Sequence, residues 1–205
     1  QNRIAWISSL RGLMIGTSEG EWRLRASDSA GINANNAEFE RHSGVGSSLL
    51  DALTVENSLL FVQQGGRKVR EFFYSLEADG FLTRDVSLLS DHLLTEGIVD
   101  WTVQRSTAFH VWCILKDGSA VCMTLNREQN IVAWHAHRLE HGRILSVASL
   151  RSSQDTQDEE VWFTVERGEG EHACITVERM AEGNEYLDAC TAFPGCGIWP
   201  DARRS

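Results

Sequence analysis

One plan is written four times along this chain. The stretches "GLMIGTSEGEWRLRA" (12–26), "SLLFVQQGGRKVREFFY" (58–74), "FHVWCILKDGSAVCMTL" (109–125) and "EEVWFTVERGEGEHACITVER" (159–179) each hold an apolar strand, a Gly-containing turn and a second strand. Their first strands begin near 12, 58, 109 and 159, at intervals of 46, 51 and 50 residues. A period of that size with β character throughout is the signature of propeller blades. Helical periodicity is poor everywhere, and only "SLLSDHLLTEG" (87–97) is compatible with a short helical turn.

The segments between the hairpins complete the blades. "DALTVEN" (51–57), "IVDWTVQRS" (98–106) and "RILSVASLRS" (143–152) precede the second, third and fourth hairpins and read as innermost strands. "AEFERHSG" (37–44), "RDVSLLSDHLL" (84–94) and "IVAWHAHRLEHG" (131–142) follow the first three and read as outer strands, while "IAWISSL" (4–10) opens the first repeat. The fourth repeat lacks a convincing outer strand, because "NEYLDACTAFPGCGIWPDARRS" is loop-like and holds both prolines, Pro194 and Pro200. The expected fold is therefore all-β and propeller-like, with about four blades of antiparallel strands near 3–46, 48–94, 97–140 and 143–183, then an irregular tail over 184–205. Two arrangements fit: an arc of a larger propeller, or closure in which a strand within Gln1–Leu10 completes the last blade. A chain starting at Gln1 rather than Met reads as a piece of a longer protein.

The third hairpin makes the sharpest expectation. Asp117-Gly118 is a strong signal for a two-residue type I′ turn. Centring the hairpin there pairs Lys116 with Ser119, Leu115 with Ala120, Ile114 with Val121 and Cys113 with Cys122, the last at a non-hydrogen-bonded position. Trp112, Ile114, Val121 and Met123 then share one face. Val111, Cys113, Leu115, Ala120 and Cys122 share the other. Both faces are apolar, as for a blade sandwiched between neighbours.

Composition narrows the function. Net charge is −10, which argues against holding nucleic acid through its phosphates. Residues 151–185 carry ten Asp and Glu against three Arg, and a solvated loop is the favoured reading of "DTQDEE". Arg outnumbers Lys 17 to two, a bias that fits packed protein interfaces weakly. Five irregularly spaced cysteines do not form a secreted disulfide framework, so thiols in a reducing compartment are expected; Cys190 and Cys196 are close enough in sequence for a loop disulfide, with free thiols ranked ahead of it. No apolar run reaches membrane-helix length, and no signal peptide precedes the first strand.

No chemical motif rises above its surroundings. His135 and His137 sit at strand spacing on one face, but a zinc site needs further ligands, no CxxC exists, and both Cys113 and Cys122 are expected two strands further in. Polar outer-strand histidines are the preferred reading. "GVGSS" (44–48) precedes no helix and reads as a turn, not a phosphate loop. Asp85, Asp91 and Asp100 are scattered carboxylates with no partner at fixed spacing. Trp6, Trp22, Trp101, Trp112, Trp134 and Trp162 recur on strands and suit blade cores better than a sugar-binding face. The chain is expected to be no enzyme, with no catalytic, cofactor-binding or metal-binding residue.

With the repeats in place, the sequence resembles the propeller part of the tail nozzle, or tubular packaged-DNA stabilisation, proteins of short-tailed phages and prophages. The resemblance is carried by "LMIGTSEGEWRL", "NSLLFVQQGGRKVREFFYSLEADGFLTRDVSLLSDHLL", "GIVDWTVQRS", "VWCILKDGSAVCMTLNREQNIVAWHAHRLEHG" and "VWFTVER", in that order, over most of residues 4–180. It implies a virion structural protein, made in the bacterial cytoplasm and placed in the tail. Its partners would be other copies of itself in a ring and adjacent tail proteins, with DNA only as passing cargo, no membrane and no small-molecule substrate. The family offers no catalytic residues to carry over, and the chain is shorter than typical members. An acidic balance suits a conduit, since each Lys or Arg contact would add a sequence-independent hold on passing phosphate. The alternative is a propeller-type protein-interaction scaffold without catalytic activity. A propeller hydrolase or lectin would need converging carboxylates or a metal.

Overall fold

Period-two patterning interrupted by Gly-containing turns builds sixteen strands among the described residues of the computed structural model, which are 2–29, 31–105, 109–139, 141–151, 158–168, 173–180 and the backbone of 190–194. They form four four-stranded antiparallel sheets, each a simple meander in chain order, and none closes into a barrel. The chain divides into two compact units, 1–98 and 99–205.

The first unit holds two sheets. One contains β1 (Ile4–Ser9), β2 (Leu13–Thr17), β3 (Gly20–Ala26) and β4 (Ala37–Ser43); the next contains β5 (Leu53–Val55), β6 (Ser58–Val62), β7 (Val69–Ser75) and β8 (Gly80–Asp85). β1 pairs with β2 inside its own sheet, so closure of the last blade by Gln1–Leu10 is not what this strand does. The expected outer strand over 84–94 is displaced. β8 ends at Asp85, and Leu88–Leu93 is a 3-10 helix. The reason lies in "EADG": Ser75 pairs with Gly80 around a four-residue loop in which Asp79 has φ +46°, so the chain reverses earlier than the alternation suggests.

Trp6, Leu10 and Met14 of the first sheet meet Leu59, Phe61, Phe72 and Phe81 of the second in one core. Phe72 and Phe81 stack with centroids 5.1 Å apart, and His42 sets its edge on Phe81 at 5.2 Å. Fully burying side chains of this size contributes about 1.5–3 kcal/mol each. The packing is tight enough to dictate a glycine: a Cβ on Gly16 would lie 2.1 Å from the Trp6 ring.

The second unit repeats the plan with β9 (Ile98–Arg105), β10 (Phe109–Leu115), β11 (Ala120–Asn126) and β12 (Ile131–His137), followed by β13 (Arg143–Arg151), β14 (Glu159–Arg167), β15 (Cys174–Met180) and β16 (Cys190–Pro194). The fourth sheet therefore has an outer strand, contrary to the expected irregular tail: β16 pairs with β15 from Thr176↔Pro194 to Met180↔Cys190. Pro194 is the last residue of this edge strand, a position where proline is commonly accommodated. Cys196 lies outside the described residues.

The β10–β11 register differs from expectation by one residue. Cys113 faces Val121, and Cys122 faces Trp112. The turn causes it. Leu115 N–H donates to the Ser119 carbonyl at 2.9 Å and Gly118 N–H to the Leu115 carbonyl at 2.9 Å, closing a three-residue loop in which only Gly118 has positive φ, +86°. That is a type I turn with a glycine bulge in place of the two-residue turn. A slip of one residue re-sorts the faces. Trp112 and Ile114 now share theirs with Ala120 and Cys122, whereas Val111, Cys113 and Leu115 share theirs with Val121 and Met123. Both faces remain apolar and buried, and both thiols are free.

One device recurs at the hairpin turns. The carbonyls of Thr17 and Gly118 accept the N–H groups of Ser47 and Ile144 at 2.8 and 2.9 Å. Each turn thus receives the chain where it enters the next sheet.

Candidate functional site

The one-residue slip also decides where the second unit keeps its open space. β12 runs beside β11 with Cys122 opposite His135 and Ala120 opposite His137. Trp112, Cys122 and His135 consequently form one row across the sheet, and Ile114, Ala120 and His137 the next. The fourth sheet answers with Ile144, Val147, Val161, Phe163 and Val165, which join Trp112, Ile114, Ala120 and Cys122 in a single core. Near the β12 end the two sheets do not meet. A cleft of about 280 Å³ remains between them.

Its floor is apolar: Trp112, Ile144, Phe163 and Val165. Trp112 is held in place by its Nε1, which donates to Oε1 of Gln104 at 3.1 Å, and by an edge contact with Phe163 at 5.6 Å between centroids. The rim carries His135, His137 and Arg138 from β12 and its exit, with Glu178 and Met180 from β15. The two imidazoles lie edge to face at 4.7 Å, and His137 tilts over Trp112 at 4.9 Å. Burial, and then the proximity of His135, pulls His137 down to about 4, while burial and nearby His110 lower His135. Both rings are neutral at pH 7. Nε2 of His137 is buried and meets no hydrogen-bond partner.

Glu178 belongs to the wall and not to the chemistry. Its carboxylate is 2% exposed and accepts from Arg167 Nε and Nη2 at 2.8 and 2.7 Å and from Thr176 Oγ1 at 2.7 Å. A buried acid satisfied on both oxygens is a structural element.

The residues singled out in the sequence fall as follows. His135 and His137 do share a face, but Cys122 is on the adjacent strand, opposite His135, with only Cys113 two strands in. Burial pushes the Cys122 thiol up to about 12, far from the thiolate a metal requires. Among the described residues no group of three or more His, Cys, Asp or Glu is arranged to hold a metal. Asp85 accepts from Ser87 and Lys68 and lies 3.9 Å from Arg70 as an ion pair, and Asp100 accepts from the N–H groups of Trp101 and Val147, so neither is drawn into a carboxylate pair. Asp91 sits in the 3-10 helix, where its carbonyl accepts from Leu94 N–H. "GVGSS" is a strap: Ser47 bridges to Gln63, Gln64 N–H donates to Gly46, and Ser47 Oγ donates to buried Glu21 at 2.8 Å. Much of the acidic segment 151–185, including 155–157 of the "DTQDEE" stretch, lies outside the described residues; within the described part Glu159, Glu160 and Glu178 engage Arg105, Arg179 and Arg167. Trp6, Trp101 and Trp112 are buried, whereas Trp22, Trp134 and Trp162 are half-buried.

What sequence reasoning missed is the cleft. Its lining comes from three strand registers and the gap between two sheets, and no local motif encodes that. No helix among the described residues is long and apolar enough to cross a membrane. No family model matches the chain, and no curated protein matches it either. The class that the observations define is an all-β chain of four antiparallel, blade-like sheets, with an aromatic-floored cleft among the described residues of its second unit.

Proposed function

We propose that this chain is a non-catalytic structural component of a phage or prophage tail, contributing to the channel through which DNA is ejected. The observation that carries the reading is the ordered set of segments resembling tail nozzle proteins, running from "LMIGTSEGEWRL" to "VWFTVER". Two further facts support it. The carboxylates at Asp85, Asp100 and Glu178 are occupied by internal donors, so these three do not form an acid–base pair. A net charge of −10 suits a surface that lets phosphate pass. On this reading the partners are further copies in a ring and neighbouring tail proteins, and the location is the virion after synthesis in the bacterial cytoplasm.

A propeller-type interaction scaffold is the second reading, and one observation favours it. The outer strand β12, "IVAWHAH", carries no Asp, Glu, Lys or Arg and leaves Ile131 and Val132 39% and 38% exposed at a sheet edge. Uncharged exposed edges are the kind that accept a strand from elsewhere.

Electron microscopy and light scattering of the gene's full product, alone and mixed with the tail proteins encoded beside it, test the proposal. Annular particles with an open channel are expected, with the 205-residue chain by itself monomeric. A product that stays monomeric among its tail partners, or tight binding of duplex DNA at physiological salt, would overturn the tail reading.

A further inference from the structure

The sheet edges of this chain are not protected alike. Of the outer strands, β4 carries Glu38, Glu40 and Arg41, β8 carries Arg84 and Asp85, and β16 ends in Pro194. Charges and prolines at an edge keep other strands from adding to it. β12 has neither over Ile131–His137, and five of its seven residues are exposed. It is the end strand of its sheet, so alternate N–H and C=O groups point away from β11. The cleft opens at the same edge. His137 lines it from one face of β12, Ala136 from the other and Arg138 from just beyond, so it reaches round the free side of the strand. Its floor of Trp112, Ile144, Phe163 and Val165 is apolar. A dry cavity of about 150 Å³ already takes up benzene, and this cleft measures about 280 Å³. A free edge beside an apolar recess is the arrangement of strand addition, in which main-chain bonds supply affinity and the recess selects a side chain.

The charges round the mouth narrow the partner. Arg138 lines the cleft and is exposed, and Arg143, next to Ile144 of the floor, donates from Nη2 to the Lys116 carbonyl at 3.3 Å. Beside them stand Asp117, which accepts from Ser119, and Glu166, opposite Arg143; Glu178 is paired with Arg167. Lys116, Arg138 and Arg143 thus outnumber the acids at this end, in a chain whose net charge is −10. We propose that β12 accepts an extended segment of a partner protein as a fifth, antiparallel strand, with an aromatic side chain in the cleft and acidic residues just before it beside Arg138. Every sheet here is antiparallel, and an antiparallel arrival brings its N-terminal end to the end of β12 where Arg138 stands. The row of Ile114, Ala120 and His137 continues onto the incoming strand, so the residue beside His137 faces the cleft, where the rings of Trp112 and Phe163 suit an aromatic. The partner so described rests on the scaffold reading of β12 and not on the tail reading.

The probe is a fluorescein-labelled seven-residue peptide: two aspartates, a phenylalanine, then alternating threonine and valine. Anisotropy measures its binding to the 205-residue chain, and hydrogen exchange of the β12 amides shows whether it pairs as a strand. Binding with slower exchange at alternate β12 amides is expected. Alanine in place of the peptide's phenylalanine should weaken binding about ten-fold or more. Asparagines in place of its aspartates should weaken it about two- to five-fold. Val132→Lys, which sets a charge on the exposed edge, should abolish binding. Ala136→Phe, at an exposed position of the lining, should remove the preference for phenylalanine, and Arg138→Glu the preference for aspartate, each with an unchanged circular dichroism spectrum. Binding that ignores the phenylalanine or the aspartates would overturn this partner and leave the scaffold reading standing. Binding that survives Val132→Lys, unchanged exchange in β12, or no binding up to about 1 mM would sink both. A dimer of the chain that Val132→Lys dissolves would make the occupant a second copy and overturn the proposal.

Discussion

The two units of this chain share a backbone plan and differ in what fills it. In the first, the sheets close on a ring cluster: Phe72 and Phe81 lie stacked at 5.1 Å, with Trp6 and His42 around them. In the second, the corresponding space is lined by Trp112 and Phe163 but is left open under two histidines. Repetition fixes the strands and turns, which each blade needs in order to exist. It does not fix the interface between blades, which each pair solves separately. The unrepeated interior is thus the place to look for what is particular to this protein.

Truncating the rings should show the contrast most strongly. Phe72→Ala empties a fully buried, well-packed site and should cost about 3–5 kcal/mol, whereas Trp112→Ala, already beside open space, should fall near the lower end, about 3 kcal/mol. Denaturant unfolding measures both. A Trp112→Ala protein melting within a degree or two of the parent would show that the indole is not part of the core.

Adding volume keeps the order. Gly16→Ala drives a methyl into the Trp6 ring and should destabilise by about 1–3 kcal/mol. Ala120→Val adds two methyl groups to a buried residue that borders the cleft and should cost less, about 1 kcal/mol or under. Equal losses from the two substitutions would mean that the second unit is as tightly filled as the first.

Acid sharpens the comparison further. His137 is lowered from 6.5 to about 4 and His135 is lowered as well, both first by burial; around them stand His110, Cys122, Arg138 and Glu178. The folded state therefore binds fewer protons than the unfolded chain between these limits. The stability is full above pH 6.5 and is lost as pH falls toward 4. The rings keep some solvent contact, so the loss is on the order of 1 kcal/mol. In the first unit His42 is lowered too, by burial, but Glu21 is raised from 4.5, again by burial. Its contribution is full below 4.5 and is lost as pH rises through the folded value, so acidification partly offsets the His42 loss. Hydrogen exchange at pH 7 and pH 4.5 should show protection falling more in β12–β14 than in β2–β7. The smallest effect belongs to the exposed Arg25–Glu38 pair at 3.1 Å, where Arg25→Ala should change stability by less than about 0.5 kcal/mol.

The strands were legible because a two-residue alternation and glycine turns are local signals. The first residues of β6, β10 and β14, at 58, 109 and 159, lie where the repeat pattern begins. Register was less legible. Asp117-Gly118 announces a reversal, but whether two or three residues turn the corner depends on which of them takes positive φ, and only Gly118 does. β16 was hidden because a Pro-flanked segment has no intrinsic strand preference and is fixed by its pairing to β15. The cleft compounds these difficulties, since His137 meets Trp112 only once two registers and a sheet gap are in place.

The bonds at the hairpin turns bear on where such a chain can lengthen. At Gly118 a side chain would collide with Arg143 at 2.7 Å, and the same residue's carbonyl holds Ile144. An insertion there would push apart the turn and the strand it receives. The loop at Leu76–Asp79 carries no comparable bond to a following sheet, and its Leu76 is 84% exposed. Lineages adding loops, and experimenters adding affinity tags or fluorescent domains, would find the Leu76–Asp79 loop permissive and the Gly118 turn resistant.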